Sequence, residues 1–523
     1  MEEKKERIVR LIPKKKKGLL RFIFSRMLII GVLITFQLLM LLIIYAWFYE
    51  YIPHFEAMQK LFSVCMVIYL FKCDMDSSGK LTWLFIIMIT PVPGTILLWF
   101  TKKDIGNLAM KERLNYIIGE TRYKLPQDGK VINNPDIVNS CTDDLCRYLN
   151  KSGCFPVYAN TDVRYFSSGE EKFDALIEEL MKAEKFIFLE YFILDEGYMW
   201  GRILGILEEK AKQGVEVRVM YDGMCEISTL SFDYPERMAK LGIKCKDFSP
   251  IRPFISTHYN YRDHRKILVI DGKVAFNGGI NLADEYINRI ERFGHWKDTA
   301  VMLKGEAVQS FTLMFLQMWN MSEKSPQWDE FLKDTYKNSE STGFVMPYAD
   351  QPLDDYKVGE NVYMDILNRA TDYVHIMTPY LILDDSLETA LKFAAQRGVD
   401  VKIILPGIPD KKMAYALAKT HYKALTESGV KLYEYTAGFV HAKVWSCDDC
   451  KAVVGTINLD YRSLYHHFEC ATYMYKTDCI YDIEQDFHDT LEKCREVTPE
   501  TIKKEKFFYK FWGALLKIIA PLM

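Results

Sequence analysis

The 523 residues contain no regular cysteine framework. Twelve cysteines are scattered at unrelated spacings, which excludes a disulfide-stapled scaffold and fits reduced core residues. Cys447-x2-Cys450 has no second Cys or His pair at ligand spacing, so no metal site is expected. An excess of charge of one sign is also missing. The formal net charge of -3 gives nucleic acid no electrostatic footing as a general partner. No small-residue cleavage site follows the first apolar run, which is in any case too long for a removable leader.

Long apolar runs are present. Met27 to Tyr49 carries 23 residues without a charge and Leu81 to Phe100 another 20, each long enough to cross a bilayer as a helix. Between them, Leu61 to Phe71 is apolar over only 11 residues and bounded by Lys60 and Lys72, so it spans with snorkelling flanks, lies in the interface or re-enters. Pro91-Val92-Pro93-Gly94 is placed to kink the last run. Ten Lys or Arg against three Glu in the first 26 residues keep that end cytoplasmic. Three crossings would put the chain after Phe100 outside, two would leave it in the cytoplasm, and both stay open. The expected location is the cell membrane, multi-pass. Phe507 to Met523 mixes aromatics with lysines and reads as an interfacial helix on anionic membrane lipid, with packing on the protein core as the alternative.

Past residue 170 the chain repeats itself. Ala183 opens AEKFIFLEYFILDEG and Ala370 opens ATDYVHIMTPYLILDDS; each is followed by a helical stretch ending at Gly214 or Gly398 and a Val/Ile-rich strand ending at Gly223 or Gly407. A repeated strand-helix-strand plan predicts an α/β fold of two pseudo-symmetric lobes, mixed sheets flanked by helices. The expected divisions are a membrane anchor over 1–105, a first lobe over 125–330, a second over 340–498 and a C-terminal amphipathic helix over 500–523.

The repeat carries chemistry. His264-x-Lys266-x4-Asp271 with Gly278-Gly279-x-Asn281 returns as His441-x-Lys443-x4-Asp448 with Gly455-Thr456-x-Asn458. One His-x-Lys-x4-Asp arises by chance on the order of 0.05 times in such a chain, so two at identical internal spacing are not accident. Two histidines at one phosphorus provide a nucleophile and an acid; Lys266 and Lys443 balance the phosphate charge, and Asn281, Asn458 and Thr456 donate hydrogen bonds to its oxygens. His264 is favoured as nucleophile and His441 as acid. A nucleophilic imidazole needs its other nitrogen held, a role suited to Asp298 and Glu469. Asp271 and Asp448 are either catalytic or structural, since each stands where a strand gives way to a turn.

The duplicated motif resembles the phospholipase D superfamily. Its surroundings resemble the bacterial cardiolipin synthase family: Asn260-Tyr-Arg-Asp-His-Arg-Lys266, Gly294-His-Trp-Lys-Asp-Thr299, Thr378-Pro-Tyr380, Tyr433-Glu-Tyr435, Gly438-Phe-Val-His-Ala-Lys443 and Gly455-Thr-Ile-Asn-Leu-Asp-Tyr-Arg-Ser463. The resemblance runs from about Lys60 to the C-terminus. It implies transfer of a phosphatidyl group from one phosphatidylglycerol to another through a phosphohistidine, with no metal and no cofactor. Two departures stand out. An extra apolar segment, Met27 to Tyr49, precedes the usual anchor, and His466-His467-Phe468-Glu469 replaces an Asn-Phe-Glu run.

Rival readings keep the same site. A phospholipase D-type hydrolase would pass the intermediate to water and release phosphatidic acid. A nucleic-acid phosphodiesterase fits the membrane runs poorly, and a catalytically dead scaffold fits the complete set of His, Lys and Asn poorly. Phosphatidylethanolamine as donor, or another alcohol as acceptor, stays open.

Overall fold

The computed structural model describes residues 7–11, 26–73, 75–103, 105–250, 257–333 and 341–522. The strands of the first half are β1 (Thr161–Phe166), β2 (Phe186–Tyr191), β3 (Glu216–Asp222), β4 (Lys244–Phe248), β5 (Arg262–Asp263), β6 (Lys266–Ile270), β7 (Val274–Gly278), β8 (His295–Lys297) and β9 (Ala300–Gly305). Those of the second half are β10 (Phe344–Asp350), β11 (Tyr373–Met377), β12 (Asp400–Pro406), β13 (Lys431–Tyr435), β14 (Gly438–Val440), β15 (Val444–Cys447), β16 (Lys451–Gly455), β17 (His467–Tyr475) and β18 (Cys494–Glu496).

The first sheet runs β1-β9-β7-β6-β2-β3-β4 and the second β10-β17-β16-β15-β11-β12-β13-β18. Removing β18 leaves two sheets that correspond strand for strand, with parallel β2/β3/β4 matching parallel β11/β12/β13 and antiparallel partners elsewhere. The predicted α/β repeat is therefore present. β2 and β6 are buried throughout, which is why they read as unbroken apolar runs rather than alternating ones. The helix Val308–Trp319 is buried on nearly every side and touches both β6 and β10, joining the lobes through one core. Phe188 stacks on its Phe315 at 4.5 Å, and burying such a ring stabilises by about 1.5–3 kcal/mol.

The N-terminal region departs from expectation. Arg26–Tyr51 is one helix, and within it Gly31–Tyr51 is long and apolar enough to cross a membrane, the only such stretch among the described residues. Leu81 to Phe100, expected as a second spanning helix, does not form one helix long enough to cross. It breaks at Thr90 into helices Ser77–Ile89 and Pro91–Lys103, which fold back so that Trp83, Ile87 and Leu98 share one cluster with Leu70. Pro91 has no N–H to continue the ladder, and Gly94 admits Ile86 where a Cβ would stand 3.1 Å from its methyl. Most of the basic leader lies outside the described residues.

The C-terminal helix Phe507–Ile519 has two faces. Gly513 lets it approach helix Lys412–Glu427, where a Cβ would meet the Ala416 carbonyl at 2.5 Å, and Leu516 is buried there. The Ile518 carbonyl accepts from Thr82 at 2.7 Å, tying the helix to the N-terminal hairpin. Phe507, Phe508, Phe511, Trp512 and Leu515 remain exposed on the other side.

Candidate active site

Two short parallel pairings between lobes build the site. β5 pairs with β17, so Arg262 faces His467 and Asp263 faces Phe468; β14 pairs with β8, so Phe439 faces Trp296 and Val440 faces Lys297. Each ladder ends on the same bond: His264 N–H donates to the Phe468 carbonyl at 2.9 Å, and His441 N–H to the Lys297 carbonyl at 2.7 Å. The next residue on each opposing strand is a carboxylate. Glu469 meets His264 Nδ1 at 2.9 and 3.0 Å, and Asp298 meets His441 Nδ1 at 2.7 Å. Both expected orienting residues are thus brought in, each from the lobe opposite its histidine.

With Nδ1 occupied, Nε2 is the nitrogen left for a substrate. Phe192 stands edge-on to His264 at 4.9 Å, while Trp296 and Tyr286 pack on His441 at 5.4 Å each. Lys266 Nζ donates to the His264 carbonyl at 2.5 Å, and Lys443 does the same to His441. All four are buried. Burial, then the charge of Lys266, holds His264 well below its ordinary pKa. Burial and Lys443 bring His441 to about 4 against the opposing pull of Asp298. Burial is also the largest cause of the drop of Lys266 to about 8 and Lys443 to about 7. The carboxylates diverge. Burial pushes Glu469 well up, whereas for Asp298 burial is outweighed by His441 and Lys443, which hold it below the usual carboxylate range.

The residues expected on the phosphate side match in their donors only: each Asn amide donates to a hydroxyl five residues on, while the Asn458 Oδ1 has no partner among the described residues. Asn281 accepts from Ile193 N–H at 3.0 Å and donates to Tyr286 at 2.7 Å. Asn458 donates to Ser463 at 3.0 Å. Thr456 Oγ1 donates to Glu469 and accepts from Cys470 N–H at 3.0 Å, so its hydroxyl fixes the carboxylate rather than reaching out toward a phosphate.

Asp271 and Asp448, expected as either catalytic or structural, are engaged by backbone N–H groups at turns. Both take left-handed backbone, φ 53° and 49°, at the turn after their strand. Asp271 accepts from the N–H groups of Glu184, Lys185 and Phe186 at 2.7–2.8 Å, and Asp448 from those of Thr371, Asp372 and Tyr373 at 2.8–2.9 Å. They staple each hairpin to the start of the neighbouring strand, roughly 16 Å along the strand from the motif lysine. Tyr286, Ser463, Phe192 and Lys172 were not singled out from sequence. Lys172 donates to the Ile280 carbonyl at 3.3 Å, as Tyr363 does to the Ile457 carbonyl at 3.0 Å, a symmetric brace under each Asn.

Two lobes of one plan, each giving a His, a Lys and an Asn to a shared buried centre, define an α/β protein of the duplicated His-Lys-Asp class. The family model described as "Cardiolipin synthase, PLD-like domain" matches residues 176–319 and 363–491, and the chain belongs to that family. It is 33% identical over 452 residues to Cardiolipin synthase 2 of Bacillus anthracis, covering 85% of this chain and 87% of that protein. It is 60% identical over 457 residues to an uncharacterized protein of Streptococcus mutans serotype c, covering 87% and 99%. The fold resembles the crystal structure of phosphatidylserine synthase from Haemophilus influenzae Rd KW20, with a TM-score of 0.56 at 15% identity over 73% of this chain and 100% of that one.

Proposed function

We propose that the protein is a cardiolipin synthase, a phosphatidyltransferase that joins two phosphatidylglycerols. The observation that carries the reading is the pair of buried histidines, each held through Nδ1 by a carboxylate of the opposite lobe and each followed by a buried lysine. In the first step His264 Nε2 attacks phosphorus, the bond from phosphorus to the glycerol oxygen breaks, and that oxygen takes the His441 proton. In the second, His441 removes a proton from the terminal hydroxyl of another phosphatidylglycerol, whose oxygen displaces His264. One phosphodiester is consumed and one is made, so the exchange needs neither a nucleotide nor a metal. The phosphate's negative charge would draw protons back onto Lys266, Lys443 and His441, whose affinities are depressed in the empty site. The test is phosphatidylglycerol vesicles with EDTA: cardiolipin with matching glycerol, absent in His264→Ala, supports the transferase. Phosphatidic acid alone would transfer the assignment to a hydrolase.

The same reading places the catalytic lobes on the cytoplasmic face. Arg7–Leu11, ahead of the span, lies on the first lobe: Val9 N–H donates to the Gly201 carbonyl at 3.0 Å, Arg237 to the Leu11 carbonyl at 3.0 Å, and Arg7 pairs with Glu208 at 2.5 Å. A crossing by Gly31–Tyr51 therefore needs a return. Helix Phe55–Lys72, 18 residues and about 27 Å long, folds back at Ile52–His54 with Phe55 against Tyr45 and Tyr49; with Glu56, Lys60 and Lys72 it is less apolar than Gly31–Tyr51, and it would make the return only with those charges carried to the interfaces. Exposed Cys141 should resist a membrane-impermeant thiol reagent in intact cells and react after permeabilisation. Reaction in intact cells would put the lobes outside.

A further inference from the structure

His467 is the residue the proposed reaction does not use. It is buried, and among the described residues neither ring nitrogen has a hydrogen-bond partner, an arrangement that is unfavourable because the ring has lost water and gained nothing in its place. Its ring centroid lies 5.3 Å from that of His264, and its Nδ1 is 3.6 Å from Glu469 Oε1, too long for a hydrogen bond. One nitrogen from each of the two histidines and one oxygen of Glu469 lie within 4.8 Å of one another, all from buried residues. Two imidazoles and a carboxylate converging this closely are the donor set of a transition-metal site.

We propose that His264, His467 and Glu469 form an inhibitory site for a divalent transition metal of the zinc class. Imidazole donors favour zinc over magnesium or calcium, which ask for oxygen. Metal–nitrogen and metal–oxygen bonds near 2.0–2.2 Å require donors about 3–3.5 Å apart, so the trio closes on an ion with side-chain adjustment alone, and a fourth position stays open to water. Lys266 and Arg462 lie close enough to oppose a cation, so the site is tuned for reversible rather than permanent occupancy. Binding engages the nucleophile and its carboxylate. The ion ties up a lone pair of His264 and takes Glu469 away from it, so phosphorus is no longer attacked.

The other half-site makes the point by contrast. The residue at the equivalent register is Trp296, which packs on His441 at 5.4 Å as His467 packs on His264, but an indole offers a metal no donor. Of the two half-sites around the motif histidines, the one that holds the proposed nucleophile is the one whose described residues converge as metal donors.

The inhibition rests on the function proposed above; the binding does not. The full chain in detergent, stripped of metal, is titrated with cobalt(II) in a His488→Ala background, so that the separate trio His375, Glu484 and His488 takes none. The expected result is visible d–d absorption that saturates at one equivalent, disappears in His467→Asn and is displaced by zinc. Zinc should inhibit cardiolipin formation, with a midpoint about 10-fold or more higher in His467→Asn, each variant being referred to its own metal-free rate. X-ray absorption of the zinc-loaded parent should count two imidazoles, a reading that stands even where His467→Asn fails to fold. The proposal is overturned by an absence of cobalt bands at saturation, by bands unchanged in a folded His467→Asn, or by zinc bound without inhibition of a measurable rate. Metal bound as expected with no lipid product would count against the function and leave the site standing.

Discussion

The half-site around His264 and the half-site around His441 share a backbone and differ in what fills it. Each histidine follows a short strand paired in parallel to the other lobe, and each meets a carboxylate one residue beyond that pairing. Around His264 the carboxylate is Glu469, supported by Thr456 and neighboured by His467, and burial drives its proton affinity up. Around His441 it is the shorter Asp298, facing Gly279 and neighboured by Trp296, and it stays ionised. Duplication placed two equivalent imidazoles, and divergence of the residues facing them separated their proton affinities. Environments that push paired titratable groups apart are what assign acid and nucleophile roles.

The most severe way to break the comparison is to delete either imidazole. His264→Ala and His441→Ala should each lower cardiolipin formation about 1,000-fold or more in phosphatidylglycerol vesicles. The two should part company on a phosphodiester with a p-nitrophenolate leaving group, which needs no acid. His441→Ala should then release nitrophenol in a burst and hold the phosphoryl group on His264, and His264→Ala should do neither. A burst in His264→Ala instead would exchange the roles.

The carboxylates come next. Asp298→Asn and Glu469→Gln should each cost about 100-fold, through loss of the orienting charge. They differ in pH profile. Asp298 raises the affinity of His441 for a proton, so its removal lets His441 lose that proton at lower pH. The alkaline limb of kcat/KM should move toward acid in Asp298→Asn and stay in place in Glu469→Gln. Equal displacement in both would mean that the halves are interchangeable.

Much of this was legible in the residues, because the motif and its repeat are local in sequence. The orienting carboxylates were legible as well, as acidic residues downstream of each motif, although their distances from the two histidines differ. Which carboxylate serves which histidine was not. That depends on the register of β5 on β17 and of β14 on β8, pairings between residues 143 and 205 positions apart at the site itself. His467 was visible only as a departure from an Asn, and its proximity to His264 follows from the same register. Near the N-terminus, Pro91 and Gly94 announced a kink, but not that the two short helices fold back on each other, since that is decided by Trp83, Ile87 and Leu98 packing with Leu70.

The staples separate folding from chemistry. Asp271→Ala leaves three backbone N–H groups without their acceptor at a buried turn and should cost about 2–3 kcal/mol, read as a lower melting temperature in detergent. Asp448 is more exposed, water replaces part of what it gives, and Asp448→Ala should cost about 1 kcal/mol. Activity per folded molecule should stay within about threefold in both. A large loss of rate at unchanged stability would return these residues to the catalytic set.

The smallest expected effect tests the finest difference between the halves. Thr456 gives Glu469 a hydroxyl that its counterpart Gly279 cannot give Asp298. That bond favours the ionised carboxylate, so Thr456→Val, which keeps the shape and removes the donor, should let Glu469 hold a proton more tightly and orient His264 less well. A hydrogen bond worth about 1 kcal/mol corresponds to a loss of about fivefold in kcat with KM little changed. The reciprocal exchange is closed, because a Cβ at residue 279 would stand 2.1 Å from Asp298 Oδ1. The shorter carboxylate and the glycine therefore belong together, as do the longer carboxylate and the threonine. If Thr456→Val raised KM alone, the hydroxyl would belong to the substrate phosphate rather than to Glu469, and the two halves would differ in what they bind instead of in how they hold a proton.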